Sequence, residues 1–233
     1  MIEQHITDRG LLRPSNQDCL IVAKNLYGVA DGMGGHKGGE TASRVAARIV
    51  MNTLRDMLPQ PEMLINAIET ANHRIFEMQK HDAQLSGMGT TISVLWNSSK
   101  TAYIAQCGDS RIYLFRNGTL TQITKDHSYV QELVDAGLIT PQEARIHPKR
   151  NLITRAVGLD ESVQIDLFTV EKQPDDLFLI CSDGLCSPID DDSLRSILSN
   201  APDDQTAAQH LLQAALNAGG SDNITLILCR EEE

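Results

Sequence analysis

The stretch from Leu177 to Gly184 restricts the fold of this chain more than any other part of its sequence. Residues 177–181 read Leu-Phe-Leu-Ile-Cys, an uninterrupted apolar run that is typical of a short strand buried on both faces. The run ends in Ser-Asp-Gly, so the carboxylate of Asp183 lies where a rigid strand stops and the chain turns. A strand of this kind needs a covering layer on each side, which favours a layered architecture.

Other apolar segments of the chain also begin or end at acidic residues. Asp31 and Asp109 each follow a strand-like segment, and Asp18 and Asp222 each precede one. A single Asp-Gly at a strand end is more often a turn than a ligand. Carboxylates that do meet raise each other's pKa unless cations neutralise them. Because hard divalent cations prefer oxygen ligands, the repeated pattern favours a Mg²⁺ or Mn²⁺ site over a zinc site.

Hydrophobic periodicity predicts an α+β fold. Amphipathic helices are predicted around 42–57, from about 61 to 80, at 191–199 and at 204–218. Between these pairs, alternating apolar and polar residues and an Asn-Gly hairpin signal at 117–118 predict antiparallel strands. We therefore expect an antiparallel β-sandwich of two sheets flanked by pairs of α-helices, in four layers α-β-β-α. The predicted strands are 2–8, 18–23, 26–31, 92–96, 101–107, 111–116, 119–123, 163–169, 176–182 and 223–230, with short helices near 128–136 and 141–146.

The overall composition argues against two classes of binding partner. A formal net charge of −11 over 233 residues argues against general affinity for nucleic acid or for anionic membranes. No apolar run approaches the roughly 18 residues that span a bilayer. Five cysteines without pairing motifs, and no apparent targeting segment, are typical of free thiols in a reducing cytoplasm. We therefore expect one cytoplasmic domain spanning residues 1–233.

The glycine-rich stretch 32–39 follows a strand and precedes a helix, as nucleotide-binding loops do. Its spacing does not fit them, because a dinucleotide-binding fingerprint would need a third glycine where the chain has Lys37, and the P-loop pattern is absent too. Two interpretations remain. The stretch is either a flexible turn or a backbone that passes close to a bound group beside Asp31.

Six short motifs run through nearly the whole chain. They are Thr-Asp-Arg-Gly-Leu-Leu-Arg-Pro-Ser-Asn-Gln-Asp at 7–18, Val-Ala-Asp-Gly-Met-Gly-Gly-His at 29–36, Gly-Met-Gly-Thr-Thr at 87–91, Cys-Gly-Asp-Ser-Arg at 107–111, Ser-Asp-Gly at 182–184 and Ser-Asp-Asn at 221–223. In this order they resemble the metal-dependent protein phosphatases of the 2C type, in particular compact bacterial serine/threonine phosphatases. The resemblance implies a β-sandwich with a dinuclear metal centre at one edge.

The resemblance also implies a ligand for each metal position. Asp31 is expected to bridge two metal ions, and the carbonyl oxygen of Gly32 to contact the second of them. Asp183 and Asp222 are expected to bind the first metal. Asp109, together with Asp183, matches the site of a third and looser metal in bacterial members. The implied cofactors are two Mn²⁺ or Mg²⁺ ions per chain, with a possible third.

Three further residues and one segment receive roles from the same resemblance. Asp18 is expected to act through a metal-bound water, and Arg13 to bind the phosphate. His36 is a candidate proton donor to the leaving alkoxide, with an exposed loop histidine as the alternative. Residues 125–160, referred to below as the flap, match a mobile segment that influences substrate choice.

The implied reaction is hydrolysis of phosphoserine and phosphothreonine esters in proteins. A hydroxide that bridges the two metals would attack phosphorus directly, with no protein nucleophile. The implied partners are phosphorylated protein substrates and a serine/threonine kinase of opposite action, with the phosphatase itself a monomer. Two alternatives stay open: a catalytically silent relative that binds phosphoproteins, and a metal phosphoesterase that acts on small molecules.

Overall fold

The strands of the chain form two antiparallel sheets in a computed structural model that describes residues 2–231, without the side chains of residues 2 and 35–37. The first sheet has the strand order β1-β11-β10-β7-β8, and the second has the order β2-β3-β5-β6-β9 with β4 paired to β3. The first sheet comprises β1 (Ile2–Asp8), β7 (Arg111–Arg116), β8 (Thr119–Gln122), β10 (Leu177–Cys181) and β11 (Ile224–Arg230). The second comprises β2 (Asp18–Ala23), β3 (Leu26–Met33), β4 (Gly89–Thr90), β5 (Ile92–Asn97), β6 (Thr101–Cys107) and β9 (Asp166–Glu171).

Helices cover the outer face of each sheet. Long helices α1 (Gly35–Leu54) and α2 (Pro61–His81) pack on the second sheet. Helices α5 (Asp183–Cys186), α6 (Asp191–Asn200) and α7 (Asp204–Asn217) pack on the first sheet. The flap contributes α3 (Tyr129–Asp135) and α4 (Pro141–Ile146), and a short 3₁₀ helix spans Ala83–Leu85.

Strand β10 shows why the chain needs four layers. Leu177, Leu179 and Cys181 belong to the apolar core under helices α5 to α7. The alternate residues Phe178 and Ile180 belong to the core between the two sheets. All five side chains are buried, because successive residues of a strand point to opposite faces and both faces are covered. The predicted α-β-β-α sandwich is confirmed.

The glycine-rich stretch 32–39 differs from the predicted loop. Strand β3 continues to Met33, and α1 already begins at Gly35. The chain reverses at Gly34, whose φ of 113° lies in the left-handed region that glycine adopts without steric cost. Gly39 lies within α1, and it is a glycine because a Cβ there would come within 2.7 Å of the carbonyl oxygen of Gly32. The glycines therefore allow close backbone packing. Because glycine has a low helix propensity, the sequence alone predicts a loop where α1 begins.

The other differences are small and local. Strand β9 begins at Asp166 and not at 163, because Val163 and Ile165 pack against the apolar core under α1 and α2 without being part of a strand. The two-residue strand β4 and the four-residue helix α5 were not predicted, since elements this short carry no periodicity. All five cysteines are free thiols. Among the described residues, no helix combines the length and apolarity that a bilayer crossing requires.

Candidate metal centre

The strand-end carboxylates converge on one cavity at an edge of the sandwich. The cavity has a volume of about 510 Å³ and contains the side chains of Arg13, Asp31, Asp109, Asp183 and Asp222. These residues come from both sheets and from loops that lie more than 200 positions apart in the chain. Gly32, Met33, Asn151, Ile153 and Asn223 are among the other lining residues.

Asp18 and Asp31 are brought together by strand register. They are directly opposite each other in the antiparallel pair β2–β3. The backbone of Asp31 is held by two threonines, because its N–H donates to Thr91 Oγ1 at 3.0 Å and its carbonyl accepts from Thr90 Oγ1 at 2.9 Å. The Gly-Thr-Thr motif at 89–91 therefore fixes Asp31 from the neighbouring strand segment.

Asp183 reaches the same cavity from the other sheet. It is the first residue of α5 and directly follows Ser182 at the end of β10. The Ser182 hydroxyl donates to Asp18 Oδ2 at 2.7 Å and accepts from the N–H of Thr225 at 3.0 Å. This serine joins the two sheets at the cavity. A Cβ on Gly184 would collide with the carbonyl oxygen of Asn223, so glycine is required where α5 meets the start of β11.

Asn223 holds the loop that carries Arg13. Its amide nitrogen donates to the carbonyls of Arg9 and Ser15, both at 2.9 Å. Its amide oxygen accepts from the N–H of Gln17 at 2.8 Å. The guanidinium of Arg13 forms an ion pair with Asp222 at 2.6 Å and remains half exposed at the mouth of the cavity.

The carboxyl groups in and beside the cavity have raised pKa values, chiefly because they are buried. Burial raises the pKa of Asp18 to about 6 and the pKa of Asp183 to about 7, and the charge of Asp222 adds to both shifts. Burial and neighbouring carboxylates also raise the pKa of Asp31 and of Asp109 well above the usual range. Carboxylates packed in this way ionise readily only when positive charge accompanies them.

The donor set suits divalent cations. Buried Oδ1 atoms of Asp18, Asp109 and Asp183 have no hydrogen-bond partner. Oxygen atoms in this state are costly unless a cation or water satisfies them. Among the side chains that the structure describes, no three His, Cys, Asp or Glu residues are arranged so that they could hold a metal ion as they stand. Asp222 instead pairs with Arg13, and Asp18 accepts from Ser182. The residue types and the unsatisfied oxygens fit Mg²⁺ or Mn²⁺.

Comparison with known proteins identifies the family. A family model described as protein phosphatase 2C matches residues 15–218. This chain belongs to the protein phosphatase 2C family. It is 40% identical over 225 residues to the serine/threonine protein phosphatase PstP of Mycobacterium tuberculosis, a match that covers 95% of this chain and 43% of that protein. It is 36% identical over 233 residues to the serine/threonine phosphatase stp of Listeria welshimeri, with 95% and 92% covered.

A solved structure of a 2C-family phosphatase shows the same fold. The catalytic domain of PstP in complex with two manganese ions matches this chain with a TM-score of 0.91 and 36% identity, covering 100% of this chain and 98% of that one. The predicted family is confirmed. The chain spans less than half the length of the Mycobacterium tuberculosis relative and nearly the full length of the Listeria relative.

Most of the predicted site residues meet in the cavity, with one exception that the structure does not test. Arg13, Asp31, Gly32, Asp109, Asp183 and Asp222 all line it, and Asp18 adjoins it through Asp31 and Ser182. The side chain of His36 lies outside the described residues, so its predicted role stays a prediction.

Sequence reasoning overlooked the residues that support the site. Asn223, Ser182 and Thr91 each hold a predicted site residue or its loop through hydrogen bonds. All three belong to the 2C-family motifs, which is the signal by which they could have been found. Periodicity does not reveal them, because a polar residue next to a strand end reads as an ordinary turn residue.

The flap lies beside the cavity that the candidate metal ligands line, which is referred to below as the metal cavity. Its residues Asn151 and Ile153 line that cavity, and its helices α3 and α4 form one wall of a second cavity of about 600 Å³. Asp109 lines both cavities. The end of α5 forms the opposite wall of this second cavity. It contacts the flap there, where the guanidinium of Arg145 donates to the carbonyl of Ser187, the residue after α5, at 3.2 Å.

Proposed function

We propose that this chain hydrolyses phosphoserine and phosphothreonine esters in proteins and uses Mn²⁺ or Mg²⁺ to do so. The observation that carries the proposal is the set of buried, unsatisfied carboxylate oxygens beside an arginine in one cavity. Membership of the protein phosphatase 2C family supports the reaction class. The two manganese ions in the structure of the PstP catalytic domain support the choice of metal.

The proposed metal ligands are those that the family resemblance implies, and all five of them line the cavity. Asp31 would bridge two cations, with the carbonyl of Gly32 on one and with Asp183 and Asp222 on the other. Asp109 would hold a third cation together with Asp183. Cations bound there would lower the pKa of a shared water, so that hydroxide is available near neutral pH to attack phosphorus in line.

The chain itself binds and orients the substrate. The guanidinium of Arg13 would bind the phosphoryl oxygens, because its position at the cavity mouth leaves N–H groups free of the ion pair with Asp222. Asp18, held by Ser182, would orient a water at the metals. His36 would donate a proton to the leaving alkoxide, which keeps the serine or threonine product neutral.

The wider setting is part of the proposal. Residues 1–233 would act as one phosphatase domain in which the flap contacts the phosphoprotein. The phosphoprotein substrates would be supplied by a serine/threonine kinase, and the phosphatase would act as a monomer. A cytoplasmic location stays a prediction from the number and contexts of the cysteines.

Two other functions fit the cavity less well. A silent relative that only binds phosphoproteins would have no need for a full ligand set, yet Asp31, Asp109, Asp183 and Asp222 all line the cavity. A small-molecule phosphoesterase would need a site that encloses its substrate, whereas this cavity adjoins a second cavity along the flap. Comparing the rate on a phosphopeptide with the rates on phosphorylated metabolites separates the silent relative from the small-molecule phosphoesterase.

The central test is metal-dependent hydrolysis of p-nitrophenyl phosphate by the wild type and by Asp183→Asn. We expect Mn²⁺-dependent activity in the wild type and a loss of more than about 100-fold in the variant, because even the loss of a supporting residue around a metal costs 10–100-fold. The control is Asp56→Asn, a matched change at an exposed residue after α1. An inactive wild type would overturn the enzyme, and full activity in Asp183→Asn would overturn the ligand assignment.

A further inference from the structure

His127 is a buried flap residue that the proposed reaction does not use. Only 7% of it is exposed, and it lies against the turn between β6 and β7 that carries Asp109. Two hydrogen bonds connect His127 to Gly108. The backbone N–H of His127 donates to the carbonyl of Gly108 at 2.9 Å, and its ring Nδ1 accepts from the N–H of Gly108 at 3.0 Å. Both sides of the residue that precedes Asp109 are therefore held by one histidine.

The conformation of Gly108 explains why the turn needs such support. Its φ of 108° lies in the left-handed region, and the space where a Cβ would lie is filled by the side chain of Thr91, with 2.6 Å to the nearest carbon. Gln106 also donates to the carbonyl of Gly108, at 2.9 Å. The N–H of Gly108, in contrast, is paired with His127 Nδ1. A buried N–H that loses its partner is costly, so this contact has a large effect on where the turn lies.

The opposite edge of the ring is fixed by charged residues. Since Nδ1 accepts a hydrogen bond, the proton of the neutral ring is on Nε2, which faces Asp166 Oδ2 at 3.2 Å and also has the guanidinium of Arg155 at 3.1 Å. Asp166 on β9 is itself paired with Arg155 at 2.6 Å. Burial lowers the pKa of His127, in keeping with a neutral ring. A carboxylate thus orients the imidazole, and the imidazole orients the Asp109 turn.

We propose that His127 is a positioning residue for Asp109: its Nδ1 holds the N–H of Gly108 and so directs the Asp109 carboxylate into the metal cavity. This inference rests on the proposed function, in which Asp109 holds a divalent cation. Asp109, the residue after Gly108, lines that cavity and has a buried Oδ1 with no hydrogen-bond partner.

The same residue links the flap to the metal cavity. The carbonyl of His127 accepts from the N–H of Thr154 at 2.9 Å, which joins the start of the flap to its far end. An isolated bridge between Ser128 and Ile153 continues the pairing, and Ile153 lines the metal cavity. Both ends of the flap are therefore anchored at the residue that positions Asp109.

Two substitutions distinguish the contact made by Nδ1 from the contact made by Nε2. His127→Asn places an amide oxygen near the position of Nδ1, so it can still accept from Gly108, but it loses the contact with Asp166. His127→Gln places its amide near Nε2 and leaves the N–H of Gly108 unpaired. We expect His127→Gln to raise the Mn²⁺ concentration for half-maximal activity about tenfold, the lower range for residues that orient metal ligands, and His127→Asn to stay near the wild type.

A direct count of bound Mn²⁺ by electron paramagnetic resonance gives a readout that does not depend on turnover. We expect both His127→Gln and Asp109→Asn to lose bound Mn²⁺, and the double variant to lose no more than Asp109→Asn alone, because coupled residues are not additive. The control is His81→Gln, an exposed histidine at the end of α2.

The outcomes are distinct. Equal Mn²⁺ binding in His127→Asn and His127→Gln, or additive losses in the double variant, would overturn the inference while leaving the phosphatase intact. A wild type that neither binds Mn²⁺ nor hydrolyses phosphate esters would instead overturn the proposed function. If His127→Gln does not fold, Asp166→Ala replaces it, since it removes the carboxylate that faces Nε2 of the ring. Its expected effect has the same direction and vanishes in the Asp109→Asn background.

Discussion

Asn223 shows how a single residue that binds neither metal nor substrate determines the shape of the site. It follows the candidate ligand Asp222 and ties together a loop that begins more than 200 residues earlier in the chain. Its amide donates to Arg9 and Ser15, and the loop between them carries Arg13. Three hydrogen bonds from one side chain therefore hold the loop of Arg13, the proposed phosphate-binding residue, against the metal cavity.

We predict that Asn223→Ala raises the KM for a phosphopeptide and leaves the fold intact. Each net hydrogen bond contributes about 1 kcal/mol, and loss of even one of the contacts that position Arg13 would raise KM roughly fivefold to tenfold. Steady-state kinetics with saturating Mn²⁺ measure the change. The matched control is Asn217→Ala, at an exposed asparagine at the end of α7. An unchanged KM in Asn223→Ala would show that the Arg13 loop does not depend on this side chain.

At the scale of elements, the flap and helix α5 form one connected unit. Arg145 on α4 donates to the carbonyl of Ser187, directly after the C-terminus of α5. The first residue of α5 is the candidate metal ligand Asp183. The N-terminus of one short helix thus faces the metal cavity, while its C-terminus faces the flap.

We predict that Arg145→Met weakens binding of phosphoproteins and spares small substrates. Methionine keeps much of the apolar stem and removes the donor to Ser187, which frees α4 from α5. KM for a phosphopeptide should rise about threefold to tenfold, equivalent to roughly 1 kcal/mol, and the rate on p-nitrophenyl phosphate should stay within about twofold. Arg195→Met, on the exposed side of α6, is the control. Equal losses on both substrates would show that Arg145 supports the metal cavity and not the substrate.

At the scale of the whole molecule, the acidic cavity makes stability depend on pH and on metal. Folding raises the pKa of Asp18 to about 6 and that of Asp183 to about 7, from ordinary values of 3.8. Between pH 4 and pH 7 the folded state of each carboxyl therefore binds more protons than the unfolded state. Stability of the metal-free protein falls as pH rises through this window, because repelled charges then form inside the fold.

We predict a higher melting temperature for the metal-free wild type at pH 5 than at pH 8, with a smaller difference in Asp183→Asn. The variant removes one of the carboxyls that titrate in this window, and each kcal/mol corresponds to roughly 2–4 °C in a protein of this size. Thermal melts after chelation measure the difference. Saturating Mn²⁺ should raise the melting temperature of the wild type most at pH 8, since the cations bind the ionised carboxylates. A wild type and variant with the same pH dependence would contradict the burial of Asp183.

Local sequence patterns predicted much of the architecture. The apolar run at 177–181, the Asn-Gly hairpin signal at 117–118 and the helical periodicity of 61–80 each depend on the period and burial of neighbouring residues, and the structure confirms all three. The start of α1 at Gly35 was missed, because glycines that permit close packing look like a loop when only propensity is considered.

The sequence by itself determined that buried strands carry acids at their ends and that two sheets must be covered by helices. Only the tertiary structure decided which of those acids meet. Asp18 faces Asp31 through the register of β2 and β3, while Asp183 joins Asp222 because β11 pairs with β10. Register depends on the hydrophobic pattern and on turn geometry. Sheet order is set by long-range packing of whole faces, which no local pattern encodes. The contact between His127 and Gly108 is likewise a tertiary contact, since it joins residues 19 positions apart in the chain.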